Sequence, residues 1–466
     1  MKRKRMALIG GGIAILVLIL GLPVSNLFVT LTPPPEFQAI QVSSPVMEQA
    51  KEAIGKKCLM CHARNPSLPL YAKLPIAAGT IEGHVKAGTA MIDFVPFLEK
   101  GGADEVLLAK LEQSLTLDTM PMASFLAMHW NGGLNGREKE AVRTWIRQVR
   151  AENYATGLAA APFAADAVQP LPERVAEALP PEKVLLGDKL YHDKRLSGDN
   201  TLSCASCHAL DKGGTDQSQF STGVRGQLGG INAPTSFNAA YNVLQFWDGR
   251  ARDLADQAGG PPLNPIEMDT TWEQVVGKLS KDVELTELYR KVYGETPWKA
   301  DHITDAIAVF EKTLITPDSA LDRYLKGETA ALNANAQQGY VLFKEHSCAT
   351  CHAGKAMGGQ SFEKSVDPRA YYASRGKEPG EAEFGRFNAT KKEEDRFKLK
   401  VPLLRNIALT APYLHDGFTS DLKEVVRLMH SHWVPELNRR RLPDGDIDKI
   451  VEMLNSNTGV LKGKQL

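Results

Sequence analysis

Cys58-Leu-Met-Cys61-His62, Cys204-Ala-Ser-Cys207-His208 and Cys348-Ala-Thr-Cys351-His352 together use all six cysteines of the chain. Each is a C-x-x-C-H run, the pattern that attaches a c-type haem. Two thiols on one tight turn can form thioethers with the two vinyl groups of one porphyrin. The adjacent histidine then faces the iron as its proximal ligand. Other thiol chemistries fit less well. A zinc ribbon pairs two C-x-x-C knuckles within a few tens of residues, whereas these pairs lie more than a hundred residues apart. A redox dithiol has no need of a histidine after its second cysteine three times over. The sequence therefore predicts three covalently bound haems, with His62, His208 and His352 on the irons.

Working outward, the chain has 466 residues, room for about three ordinary domains. Hydrophobic content of 43% and charged content of 24% are those of a globular protein. Lysine plus arginine balances aspartate plus glutamate at 55 each, so nothing suggests a nucleic-acid partner. Helix formers abound and alternating strand patterns are almost absent. The expected fold is mainly α, with three cytochrome-c-like haem domains after an N-terminal transmembrane helix.

Lys2-Arg3-Lys4-Arg5 precede an apolar run from Met6 to Leu22 that continues less purely to Leu31. A basic end followed by a segment about long enough to span a bilayer reads as a single-pass inner-membrane anchor. No A-x-A-like cleavage site follows it. The positive-inside rule puts the basic end in the cytoplasm and the bulk of the chain in the periplasm. Residues 1–31 are then the basic end and anchor, 32–154 the N-terminal haem domain, and 155–182 an Ala/Pro-rich linker. Residues 183–327 and 328–466 form the second and third haem domains. Helices are expected over Arg137–Ile146, Val184–Asp193 and Ala334–Glu345.

From about Leu185 onward the chain resembles the bacterial di-haem cytochrome c peroxidases. The matching runs include Arg195-Leu-Ser-Gly-Asp-Asn-Thr-Leu-Ser-Cys204, Ile231-Asn-Ala-Pro-Thr235, Gln245-Phe-Trp-Asp-Gly-Arg250 and Gly260-Pro-Pro-Leu-Asn-Pro-Ile-Glu-Met268. Val401-Pro-Leu-Leu-Arg-Asn406 and Thr410-Ala-Pro-Tyr-Leu-His-Asp-Gly417 complete the series. The additional anchored haem domain is similar to that of the tri-haem, membrane-bound quinol peroxidases. The resemblance implies reduction of hydrogen peroxide at the haem on Cys204 and Cys207, with Gln257 and Glu267 in the distal pocket. A carboxylate there can move the peroxide proton, and an amide can polarise the O–O bond.

The resemblance also implies that Met429 ligates the haem on Cys348 and Cys351, whose raised potential suits an electron store. Trp247 matches a tryptophan lying between these two haems. Asn232, with the main-chain oxygens of Thr410 and Pro412, would hold a calcium ion through hard oxygen donors. For the first haem, Met120 in Asp118-Thr-Met-Pro-Met122 resembles a ligand element of such N-terminal domains. Met122, His84 and His129 are the alternatives. Taken alone, any one of the twelve methionines is more readily core filling than ligand.

In one place the chain departs from the family pattern. Most members carry a ligating histidine in the glycine-rich loop after the peroxidatic attachment run. Here Phe220-Ser-Thr-Gly-Val-Arg-Gly-Gln-Leu-Gly-Gly230 contains none. His302 is the only histidine between His208 and the end of that domain, and Lys212 is the remaining nearby candidate. The expected activity is a peroxidase fed by quinol or a c-type cytochrome. The rival expectations are an enzyme that oxidises a partner protein, and a multihaem electron carrier without catalysis. The partner-oxidising proteins have tyrosine where this chain has Met429.

Overall fold

Ser44 and Pro45 begin the first long helix, α1 (Pro45–Lys57): the serine hydroxyl accepts from the Met47 amide, and proline occupies a position needing no donor. The computed structural model describes residues 20–21, 23–28, 32–175, 177–433, 441–461 and 464–465. The proposed anchor, Met6 to Leu31, lies largely outside them. Among the described residues no helix is long and apolar enough to cross a membrane. The chain divides into two compact units, 1–154 and 155–466.

In the first unit α1 is followed by α2 (Pro75–Met91), α3 (Glu105–Leu117) and α4 (Gly136–Asn153). Asn135 and Glu138 cap α4 reciprocally, each side chain accepting from the other's backbone amide. Val142, Trp145, Ile146 and Val149 recur at helical spacing on its buried face. They pack with Ala50, Ala53 and Ile54 of α1. Each large apolar side chain sequestered here contributes about 1.5–3 kcal/mol. Arg150, wholly buried, reaches Glu112 on α3 at 2.9 Å.

The second unit contains two helix crossings of one design. Helix α5 (Pro181–Tyr191) precedes the Cys204 run and crosses the later helix α9 (Ala300–Glu311). The intervening α6 (Leu254–Ala258), α7 (Trp272–Leu279) and α8 (Val283–Tyr293) complete that half. Helix α10 (Ala320–Leu325) leads into the other half. There α11 (Ala334–Glu345) precedes the Cys348 run and crosses α13 (Asp444–Asn455), with α12 (Leu422–His432) before it. A glycine sits at each crossing. A β-carbon on Gly187 would overlap the Ala306 carbonyl, and one on Gly339 would overlap the Lys449 carbonyl. Strands are confined to two-residue pairs among the described residues, such as β1 (Phe362–Glu363) with β2 (Leu399–Lys400). The chain is mainly helical, as its composition implies.

The Ala/Pro-rich stretch read as a linker is laid into this second unit. Val168, Gln169 and Leu171 are buried within it. The Leu171 amide donates to Asp322, the Gly354 amide to the Ala167 carbonyl, and Asp166 meets Tyr340 and Lys344. Backbone groups thus share the attachment with the Asp166 carboxylate and the buried Ala167, Val168 and Leu171.

Arg405 fastens the second unit. Both Arg405 and Asp322 are 0% exposed, and they pair at 2.7 Å. The guanidinium also donates to Ser319 Oγ, Asn457 Oδ1 and the carbonyls of Gln169 and Lys355. A buried arginine is tolerated when its donors are met in this way.

Candidate active site

All three C-x-x-C-H runs form a tight turn, and all six thiols are free of disulfides. The amides of His62, His208 and His352 each donate to the carbonyl of the first cysteine in their own run. The imidazoles are prepared in a common way. Nδ1 of His62 lies 3.1 Å from the Ile92 carbonyl, that of His208 3.4 Å from Gly214 and that of His352 3.1 Å from Met357. A carbonyl acceptor at Nδ1 fixes the tautomer and leaves Nε2 as the metal-binding atom. Burial lowers the pKa of all three rings, that of His352 to about 4, so each stays neutral and able to ligate. Free paired thiols beside a neutral, oriented imidazole fit covalently attached haem at each run.

Burial raises the Cys207 thiol, and the charges of Asp216 and Glu267 add to the rise, which puts Glu267 within electrostatic reach of the attachment turn. Burial raises the pKa of Glu267 itself, against the opposing effects of a hydrogen bond from Asn264 and the charge of Arg250. The Asn264 amide nitrogen holds its Oε1 at 2.6 Å. Gln257 lies half-buried on α6. The glycine-rich loop is fixed directly onto the Glu267 segment. The Val224 amide donates to the Glu267 carbonyl at 2.8 Å, Gln227 donates to the Pro265 carbonyl, and Arg225 pairs with Asp269. A side chain at Gly223 would overlap the Ile266 carbonyl, so only glycine permits this approach.

His302 is occupied elsewhere. Its Nδ1 lies 2.7 Å from the Tyr289 hydroxyl and its ring stacks on Tyr293 at 4.1 Å. Lys212 is exposed.

Trp247 donates its indole N–H to the Asn232 carbonyl at 2.9 Å and meets the His415 ring edge-to-face. The Asn232 amide hydrogens go to the Ser218 and Gln219 carbonyls, which leaves its Oδ1 as the donor atom a cation would use. Behind Trp247, the ligand atoms of Glu383, His415 and Asp416 converge. These groups sit in an ion network in which Arg375 and Lys377 bring positive charge to Asp416 and Lys377 also pairs with Glu383. His415, then Lys377, hold Glu383 well below the usual carboxylate range.

Met429 lies half-buried on α12, beside a His346–His430 contact of 3.2 Å. In the first unit Met120 is 45% exposed and Met122 half-buried. His129 has both ring nitrogens engaged, one with Phe125 O and the other with the Tyr71 hydroxyl.

Sequence reading missed Glu311. Buried on α9 within electrostatic reach of Cys204, its carboxyl is pushed up to about 8 by desolvation. Its position in an apolar helix face was the available signal.

Residues 181–330 match the family model described as di-haem cytochrome c peroxidase, and residues 19–148 match a haem-binding domain. The chain is similar to cytochrome c peroxidase Ccp of Escherichia coli (strain K12), 43% identical over 410 residues, covering 87% of this chain and 86% of that protein. It is also similar to the cytochrome c551 peroxidase of Nitrosomonas europaea, 44% identical over 274 residues, covering 59% and 79%. Among solved structures, a MauG-like protein associated with microbial copper homeostasis is similar at 27% identity and a TM-score of 0.55, covering 62% of this chain and 93% of that one.

Proposed function

The chain belongs to the di-haem cytochrome c peroxidase family and is an oxidoreductase acting on peroxide, and we propose that it relays electrons through three c-type haems to reduce hydrogen peroxide to water. The observation that carries the reading is the half-buried Glu267, within electrostatic reach of Cys207 and on a segment to which the glycine-rich loop is fastened.

When bound, the haem supplies the open iron position and the electrons for O–O cleavage. Glu267 takes the proton from the near oxygen of peroxide and delivers it to the far one, so that water leaves. Its raised pKa brings its basicity closer to neutral pH, where proton transfer is most effective. Gln257 holds the peroxide and stabilises the polarised bond. Overall, two electrons and two further protons convert each peroxide into two waters.

Met429 would ligate a haem held at Cys348 and Cys351, where a sulfur ligand would raise the potential and suit an electron store, and Trp247 would serve electron transfer between that haem and the one held at Cys204 and Cys207. Met120 would ligate a haem held at Cys58 and Cys61, which would accept electrons from quinol or a c-type cytochrome. Residues 6–31 tether the chain to the inner membrane with its bulk in the periplasm, as in the tri-haem quinol peroxidases. Asn232, Thr410 and Pro412 hold a calcium ion. Haem counting by mass spectrometry, which should find three, and calcium analysis of the dialysed protein test these parts.

Titrating the fully reduced protein with peroxide tests the function. Oxidation of its haems, with water formed and no partner protein present, is expected. Haems that stay reduced would point to a carrier, and oxidation of a partner's side chains to the other enzymatic class. Steady-state turnover with quinol against turnover with reduced cytochrome c identifies the donor.

A further inference from the structure

The helix that carries Met429 is anchored unevenly. Its buried apolar residues are Leu422 and Val426, both in the first half of α12. One turn further along the same stripe, where a third apolar anchor belongs, stands His430. This ring is half-buried, and its Nε2 lies 3.2 Å from Nδ1 of His346. The two rings meet edge-to-face with centres 5.1 Å apart. One imidazole donates and the other accepts, so the contact needs no charge on either.

His346 belongs to the attachment turn rather than to the ligand helix. It closes α11, its amide donating to the Leu342 carbonyl at 2.8 Å, and its own carbonyl lies 3.8 Å from Cys348 Sγ. The residue is 4% exposed. A single side chain therefore joins the turn bearing Cys348 to the turn of α12 bearing Met429, across 84 residues of sequence. Nearby, α12 is held through its backbone, where the His432 carbonyl accepts from the Val366 amide at 2.8 Å. An apolar residue at position 430 would tolerate several rotations of the helix. A hydrogen-bonded pair in a largely buried setting specifies one, because any other leaves a polar atom unmet. Met429 and His430 are adjacent on the same turn, so a rotation that freed the imidazole would swing the sulfur as well.

We propose that His346 is a positioning residue for Met429: its hydrogen bond to His430 fixes the last turn of α12 so that the sulfur stays on the iron of the haem held at Cys348 and Cys351. The inference rests on ligation by Met429, proposed above.

The test uses the full holo-protein, with haem content counted first. Methionine sulfur on ferric haem gives a weak charge-transfer band at the red edge of the visible spectrum. The part of that band that Met429→His removes belongs to this haem. Added imidazole displaces the sulfur and bleaches the band, at a concentration set by how often the sulfur leaves the iron. His346→Phe keeps a ring but removes the hydrogen bond. It should lower the half-bleaching imidazole concentration by about fivefold, the factor that a typical hydrogen bond contributes to an equilibrium. His346→Asn, whose side-chain amide can take the place of Nδ1, should recover most of the change. If His346→Phe does not fold, His430→Leu breaks the same bond from its other end and should give the same shift. Where both fold, combining them should shift no further than either alone. Full haem content with an unchanged half-bleaching concentration, whatever the melting temperature, would overturn this role alone. Equal shifts in the Phe and Asn variants would do the same, since packing rather than the hydrogen bond would then be responsible. If Met429→His removes no part of the band, the ligand reading falls and this inference with it.

Discussion

At Cys204 and at Cys348 the chain reaches the attachment turn by the same route. A helix bearing a glycine, Gly187 or Gly339, lets the carbonyl of a crossing helix come close, at Ala306 or Lys449. Four residues further along the crossing helix an apolar side chain covers the glycine, Phe310 in one half and Met453 in the other. The next residue differs in kind: Glu311 in the peroxidatic half, Leu454 in the C-terminal half, both buried. Beyond the crossings the halves diverge completely. One brings a carboxylate and a clamped glycine-rich loop to its attachment turn, whereas the other brings α12 with Met429. The attachment scaffold is thus generic, and on the function proposed above it is what the later loops deliver that would decide between reacting with peroxide and storing an electron.

The largest effect should come from removing what only the peroxidatic half has. Glu267→Gln keeps size but loses the proton carrier, and turnover should fall by about 10²–10⁴-fold. Glu267 acts as base only when ionised, and its pKa is raised. Activity of the parent should therefore decline as pH falls through a value above the ordinary carboxylate range, a limb absent from the variant. Stopped-flow and steady-state rates across pH measure both; near-normal turnover would remove Glu267 from the mechanism.

Arg405 lies in the frame that both halves share. Arg405→Met leaves Asp322 buried without its partner and should cost about 3–5 kcal/mol in denaturant unfolding. Adding Asp322→Leu should recover much of that loss, since a buried pair is often replaceable by apolar side chains.

Met429→His attacks the element peculiar to the C-terminal half. Exchange of sulfur for a more basic nitrogen should lower that haem's potential by on the order of 0.1 V, within the range of about 0.8 V that axial ligands span. The peroxidatic haem should keep its own potential. Unchanged redox titrations would place the ligand elsewhere.

Glu311→Leu makes the two crossings alike. Between its ordinary pKa and about 8, the folded protein keeps a proton on Glu311 that the unfolded chain releases. Stability should therefore decline with rising pH through that window, by up to about 1.4 kcal/mol per unit. The leucine variant should lose this slope and gain most at alkaline pH. Unfolding curves at pH 5 and 8 compare them, and identical slopes would mean that Glu311 ionises normally.

The smallest expected effect is none. His302 is held by Tyr289 and Tyr293, so His302→Phe should leave the peroxidatic haem's electron paramagnetic resonance unchanged. The oxidised protein, with no histidine in Phe220–Gly230, should show that haem high-spin or water-ligated and should turn over without a lag. Three low-spin haems with nitrogen or sulfur ligands, together with a lag, would sink that expectation.

The sequence alone determined what depends on neighbours along the chain. Two thiols and an imidazole within five residues define an attachment turn, and helical spacing placed α5 and α11 to within a few residues and found the start of α4, which runs on past the expected Ile146 to Asn153. It also showed the missing loop histidine, because an absence within one short loop needs no geometry to be seen. Tertiary structure decided whatever joins distant segments. Arg405 meets Gln169, Asp322 and Asn457 only after folding, and the Ala/Pro-rich stretch, whose apolar residues are mostly alanine, is held partly through backbone groups that carry no sequence signal. Lys400, 5% exposed, reads in sequence as one charge among 55 basic residues. Only burial, which depends on the whole chain, separates it from the solvated rest, because a charge's cost is set by the surrounding dielectric and partners rather than by its neighbours in sequence.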